Sequence, residues 1–245
     1  MTTWFSAQPA EVFNSGSTSH WIILGILVFL IIFLYTYRKK LQDHPFRNKI
    51  RIAMAVLLLL AEVALQAWYI ANGIWAADRS LPLHLCSAAV VLCPIMLITR
   101  KYRLYEVLFF WGIAGTTQAI VTPDLWYAFP HFIFFQYFFA HSLIVLACLW
   151  MTFVEQYHPS ILSVGKTFIY TNLYLLFVLV VNLIIGSNYL YLMGPPEQPT
   201  ILDLFSERWP IYILQLQALG LFAIFLCYLP FPLAKKIKDL RKYGV

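Results

Sequence analysis

Seven long apolar stretches divide the chain, separated by short polar segments. They run over about 21–37, 52–70, 82–99, 104–121, 132–153, 167–186 and 210–229. Each approaches the roughly 17–25 apolar residues that a helix needs to cross the hydrocarbon core of a bilayer. The pattern predicts an all-α polytopic membrane helix bundle of seven transmembrane helices, folded as a single domain over residues 1–245. Pro82 and Pro210 stand where helices are expected to start, a position at which the missing N–H costs nothing. Pro94 falls inside the third stretch, where a proline is expected to kink a helix. The longest connector, 187–209, contains Gly194, Pro195, Pro196 and Pro199 and reads either as a lid or as a plain linker.

Composition agrees with the pattern. Of the 245 residues 61% are hydrophobic and 11% are charged, against about 25% charged in a soluble domain. So few polar residues cannot cover a water-facing globule. The 20 Phe and 15 Tyr cluster near segment ends, as interfacial belts do. The net charge of +6 changes the picture only through its distribution. Fifteen of the 17 Lys and Arg follow the first, third, fifth and seventh stretches, and only Arg79 and Arg208 lie on the other side. That alternation is an orientation signal, not a nucleic-acid surface. It predicts an N-terminus outside and a C-terminus in the cytoplasm. The four cysteines all lie in apolar stretches, so no secreted disulfide framework is expected.

Polar groups inside the membrane are costly, and each is a functional candidate. Glu62 and Gln66 share a face of the second helix, four residues apart. His84 and Cys86 open the third. Gln118 ends the fourth, with Asp124 just beyond it. His141 lies in the fifth helix and Asn182 near the end of the sixth. With the predicted orientation most of them fall in the outer half of the bilayer, as a polar chamber opening outward would require. The bland readings are a neutral, hydrogen-bonded Glu62 and interhelical glue for Gln66, Gln118 and Asn182. Cys93, Cys148 and Cys227 read as small packing residues, Gly112 and Gly115 as sites of close helix approach, and Glu106 as half of an ion pair. Chemistry is possible where a thiol meets an imidazole that takes its proton. Cys86 with His84 or His141 would supply the pair. With helices starting at Pro82 and Phe132, Cys86 lies about 6 Å in from Pro82 and His141 about 13 Å in from Phe132.

Three segments carry a family resemblance. Leu81-Pro-Leu-His-Leu-Cys-Ser87, then Gly112-Ile-Ala-Gly115 leading to Thr122-Pro-Asp124, then Phe138-Phe-Ala-His-Ser142 resemble the YwaF / transmembrane protein 164 family, in order and across the seven-helix core. The resemblance implies cysteine-dependent acyl transfer between phospholipids, with Cys86 acylated and His141 assisting. Ser142 stands where the family usually has glycine.

The expected function is therefore a membrane-embedded acyltransferase or lipid hydrolase that acts through a Cys86 thioester, with His141 as base. Glu62, Gln66 or His84 would orient His141 or stabilise the oxyanion, and Gln118, Asp124 and Asn182 are supporting or substrate-binding candidates. The expected partners are membrane phospholipids or lysophospholipids, with no cofactor, no metal and no nucleic acid; the short tails suggest a bacterial cell membrane. The alternative is a transporter or channel that uses the same polar groups as a proton or solute path. A zinc site from His84, Cys86, His141 and Glu62 is a less simple arrangement. A retinal-type photoreceptor is excluded in its usual form, because the seventh stretch has no lysine.

Overall fold

The computed structural model describes residues 4–196 and 200–242, and every regular element among them is helical. Helix α1 (Thr18–Gln42) begins at Ser17, whose hydroxyl accepts the His20 N–H. It outruns its apolar stretch, so Arg38, Lys39 and Lys40 lie in its last turns, where cations suit the helix dipole. Helix α2 (Arg47–Ala71) and helix α3 (Leu85–Thr99) follow. Helix α4 (Tyr102–Phe110), a π-helical turn (Trp111–Gly115) and helix α5 (Thr116–Val121) form one continuous rod of 20 residues. Helix α6 (Phe132–Phe153) has the predicted bounds. Helix α7 (Ile161–Ile185) starts six residues earlier than the hydropathy indicates, because a capping box between Ser160 and Ser163 initiates it below the apolar stretch. Lys166 therefore stands on the helix and not in a loop. Helix α8 (Trp209–Tyr228) opens with Pro210 in its first turn, and helix α9 (Pro230–Lys242) carries the basic tail.

Six of these rods are long and apolar enough to cross a membrane, and the chain is an integral membrane protein. Their outward faces carry large apolar side chains such as Trp21, Phe29, Leu183, Ile184 and Leu214, which only lipid would solvate cheaply. The remaining apolar stretch, the third along the chain, is different. Helix α3 has 15 residues, about 22 Å at 1.5 Å per residue, short of the roughly 30 Å hydrocarbon core. It starts at Leu85, not at Pro82. The residues before it are extended (His84 φ −68°, ψ 152°). Their backbone is satisfied from outside: the Tyr189 hydroxyl accepts the Leu81 N–H, and the Tyr174 hydroxyl donates to the Leu83 carbonyl. Side chains of other segments thus replace the first helical turn.

The connectors gather at two ends. At one end, the N-terminal segment is strapped across the others through Phe132 N–H to Trp4 O and Ala128 N–H to Glu11 O. Trp68 and Tyr127 side chains hold it further. At the other end Tyr157 donates to the Arg100 carbonyl, Tyr102 donates to the His158 carbonyl, and Arg47 pairs with Glu155. Consecutive rods therefore alternate in direction, and the basic segments share one end.

Helix α3 lies in the middle, packed on α2 and α6 through buried Ala88, Ala89, Cys93, Met96 and Leu97. The π turn meets α6 at Gly112, where a Cβ would fall 2.5 Å from Cys148 Sγ and 3.0 Å from Ile144 Cγ2. Gly112 permits that approach; Gly115, expected to do the same, has open space around it. Glu106 is buried and accepts from Ser163 and Lys166 at 2.7 and 2.9 Å. The expected ion pair is present, with its partner on α7 and not in the turn after α3.

Candidate active site

The late start of α3 changes where Cys86 sits. It is the second residue of the helix, with His84 as N-cap. The first bond of the helical ladder runs from Ala88 N–H to His84 O at 2.8 Å. The N–H groups of Leu85, Cys86 and Ser87 therefore have no partner in the helix. Free amides and the positive end of the helix dipole both favour negative charge at this point. Cys86 is a free, half-buried thiol, and the Thr116 hydroxyl donates to its sulfur at 3.9 Å. Thr116 is fully buried and is the first residue after the π turn. No pattern of residues marks its role, since a threonine among apolar residues carries no motif and a π turn has no simple sequence signature.

His141 lies two turns into α6, and its orientation is set locally. Its Nδ1 is 2.7 Å from the carbonyl of Tyr137. A carbonyl only accepts, so Nδ1 carries the proton. In the neutral ring Nε2 is then the free lone pair, the atom a base requires. The Tyr137 ring stacks on the imidazole with centroids 4.1 Å apart and planes at 29°. Among the described residues no hydrogen bond joins Cys86 to His141.

His84 is held in the opposite tautomer. Its Nδ1 accepts the Leu190 N–H at 3.4 Å, so in the neutral ring Nε2 bears the proton and is a donor. The ring packs against Tyr189 and Tyr191, with centroids 5.4 and 5.3 Å away. Asp124 joins the same rim: its carboxylate accepts the Tyr191 hydroxyl at 2.9 Å. The 187–209 connector thus packs on the site at residues 189–191. Leu190 and Tyr191 take positive φ (60° and 55°) without being glycine, a strained backbone that the surrounding bonds enforce.

The remaining candidates divide. Asn182 is buried and fully used, bonding Ser187, the Tyr189 N–H and the Tyr189 carbonyl. It shapes the connector from one layer behind. Gln66 donates to Glu62 and to the Ser80 carbonyl and accepts from Trp75, so it binds α2 to the segment that leads into α3. Glu62 is placed with Gln66, and no hydrogen bond among the described residues links it to His84, Cys86 or His141. Gln118 is exposed and bonds Thr122 in the next turn; it is not gathered with the others. Among the described residues no three His, Cys, Asp or Glu side chains are grouped so that they could hold a metal ion. An apolar groove of about 520 Å³ lies between α1, α2 and α6, lined by residues such as Leu27, Ala61, Phe135 and Ser142. Neither Cys86 nor His141 lines it.

Buried His20 carried no sign in the sequence. It accepts the Gly16 N–H on Nδ1 and donates from Nε2 to the Ile120 carbonyl at 2.8 Å. Both nitrogens are used structurally.

Comparison with known proteins gives a family. The model described as the TMEM164 family matches residues 15–228, most of the chain. An uncharacterized protein of Treponema pallidum (strain Nichols) is 32% identical over 93 residues, which cover 38% of this chain and 37% of that one. No solved structure matches.

Proposed function

The chain belongs to the TMEM164 family, and for this member we propose a membrane-embedded, cysteine-dependent acyl transfer on phospholipid acyl chains. One observation carries the reading. Cys86 sits in the first turn of α3 beside unused backbone N–H groups, while His141 has Nδ1–H committed to a carbonyl and Nε2 free.

The steps follow from those positions. His141 Nε2 takes the Cys86 proton as the sulfur attacks the carbonyl carbon of a lipid ester. The tetrahedral oxyanion meets the first-turn amides of α3 and the Nε2–H of His84, which is the donor tautomer. Collapse breaks the ester C–O bond, and the lysolipid alkoxide leaves with the proton from His141. A lysophospholipid hydroxyl or water then gives its proton to His141 and attacks the thioester, and the returning proton restores the Cys86 thiol. Thr116 donates to the sulfur and stabilises it as a thiolate. The N-terminus and the site face the outside, because the fifteen basic residues mark the other end as cytoplasmic. In this reading α3 completes a seven-helix, one-domain bundle, with its short helix continued outward by the extended 80–84 segment.

Mass spectrometry of protein purified from membranes tests the proposal. An acyl mass is expected on the peptide containing Cys86 and absent in Cys86→Ser. An unmodified Cys86 that stays unmodified after incubation with phospholipid vesicles, in protein that is otherwise folded, would turn the assignment toward a transport path through the same polar groups.

A further inference from the structure

The carbonyls at the end of α5 have an unusual set of partners. In a continuing helix the Ala119 carbonyl would accept the N–H of residue 123, but residue 123 is proline and has none. The Ile120 carbonyl is left free as well, because the helix stops at Val121. Two side chains fill the places: His20 donates to Ile120, and the Tyr137 hydroxyl donates to the Ala119 carbonyl at 2.9 Å. Pro123 thus creates the acceptor that fixes Tyr137.

Tyr137 is held at both ends. Its hydroxyl is anchored on the rod that also carries Thr116, the partner of the Cys86 sulfur. The face of its ring lies against the imidazole of His141, one turn further along α6. Its own backbone carbonyl accepts the His141 Nδ1–H. An imidazole on a helix has two soft side-chain torsions and two neutral tautomers. A flat wall on one side and an acceptor for Nδ1–H leave one ring plane and one tautomer, with Nε2 unprotonated.

We propose that Tyr137 is a positioning residue: clamped between the Ala119 carbonyl and the His141 ring, it fixes the rotamer and tautomer of His141 and so holds Nε2 as the free lone pair that the base role requires. This rests on the Cys86–His141 reading above. Tyr137 does not exchange protons with substrate; its hydroxyl proton is committed to a backbone carbonyl of α5. The anchor connects the two rods on which the thiol's partner and the base are built.

The test uses the full chain in phospholipid vesicles, with iodoacetamide as the probe of Cys86. Alkylation forms a carbon–sulfur bond, expels iodide and passes the thiol proton to the base, so its rate reports how well His141 is placed. His141→Ala is expected to slow it; if that variant reacts at the wild-type rate, the Cys86–His141 reading fails before Tyr137 is judged. With that control in hand, Tyr137→Leu, which removes wall and anchor, is expected to slow alkylation on the order of 100-fold, the scale of a misplaced catalytic group. Tyr137→Phe keeps the wall and loses the anchor, and is expected to fall between the two. A second readout is independent of reactivity: in ¹⁵N NMR of the histidine ring, wild-type His141 is expected as the Nδ1–H tautomer, and Tyr137→Leu as a mixture. If Tyr137→Leu is folded, alkylates like wild type and retains a single Nδ1–H tautomer, the positioning role is overturned. A loss of thermal stability with unchanged rate and tautomer overturns it equally, since it leaves Tyr137 a purely structural residue.

Discussion

Thr116 is the side chain that touches the Cys86 sulfur, and it is fully buried. Thr116→Val keeps the shape and removes the donor. A hydrogen bond to a charged acceptor is worth about 1.5–3 kcal/mol, so thiolate formation is expected to fall at least about tenfold, measured as the alkylation rate of Cys86. An unchanged rate would show that the 3.9 Å contact does not persist in the working protein. Cys86→Ser is expected to lose the acyl adduct while inserting and folding normally, because a serine hydroxyl requires a stronger base than an imidazole placed for a thiol. Cys93→Ser, Cys148→Ser and Cys227→Ser are expected to keep activity and to lose stability at most. Gly112 offers a separate test of packing. A Cβ there meets Cys148 Sγ at 2.5 Å, so Gly112→Ala is expected to cost about 1–3 kcal/mol through overpacking. Adding Cys148→Ala is expected to recover part of that, read as thermal unfolding in detergent. Additive losses in the double variant would rule out this contact as the cause.

Among the elements, α3 and α7 depart most from their hydropathy. Hydropathy marks where a helix is apolar, not where its backbone begins to coil. The apolar stretch includes residues 82–84, but the Leu81 N–H and the Leu83 carbonyl are claimed by the Tyr189 and Tyr174 hydroxyls of distant segments. Helix α7 starts in polar sequence because Ser160 and Ser163 cap each other. Its early start places Lys166 against the buried Glu106. Lys166→Met leaves that carboxylate without its cation, which for a buried pair costs about 3–5 kcal/mol; the half-exposed lysine places this case toward the lower figure. The double variant with Glu106→Gln is expected to recover most of the loss, because the uncompensated charge is gone. If Lys166→Met unfolds at the wild-type temperature, the pair does not join α4 to α7 energetically.

For the whole molecule, the prediction concerns its orientation. A cysteine-directed label that cannot cross membranes is expected to modify a cysteine placed at Ser17 in intact cells and to spare one at Gly244, a position outside the described residues. The reverse pattern would invert the bundle and move the candidate site to the cytoplasmic half. The membrane character, the rods and their alternation were legible in the sequence, because lipid imposes a length and a polarity on each segment independently of its neighbours. Cys86 and His141 were legible as candidates for the same reason: a polar group in an apolar run is conspicuous. Thr116 and Tyr137 were not, since hydroxyl-bearing residues are common in such helices and their partners lie 30 and 18 residues away. Nor does spacing reveal that His84 and His141 adopt opposite tautomers, which depends on a backbone N–H at Leu190 and a carbonyl at Tyr137. Local hydrophobicity and charge determine which segments are helices in lipid and which residues stand out within them. The start of α3, the partners of the thiol and the free nitrogen of each histidine are decided only when distant segments meet, because a hydrogen bond is set by the geometry of two groups and the sequence records only one of them at a time.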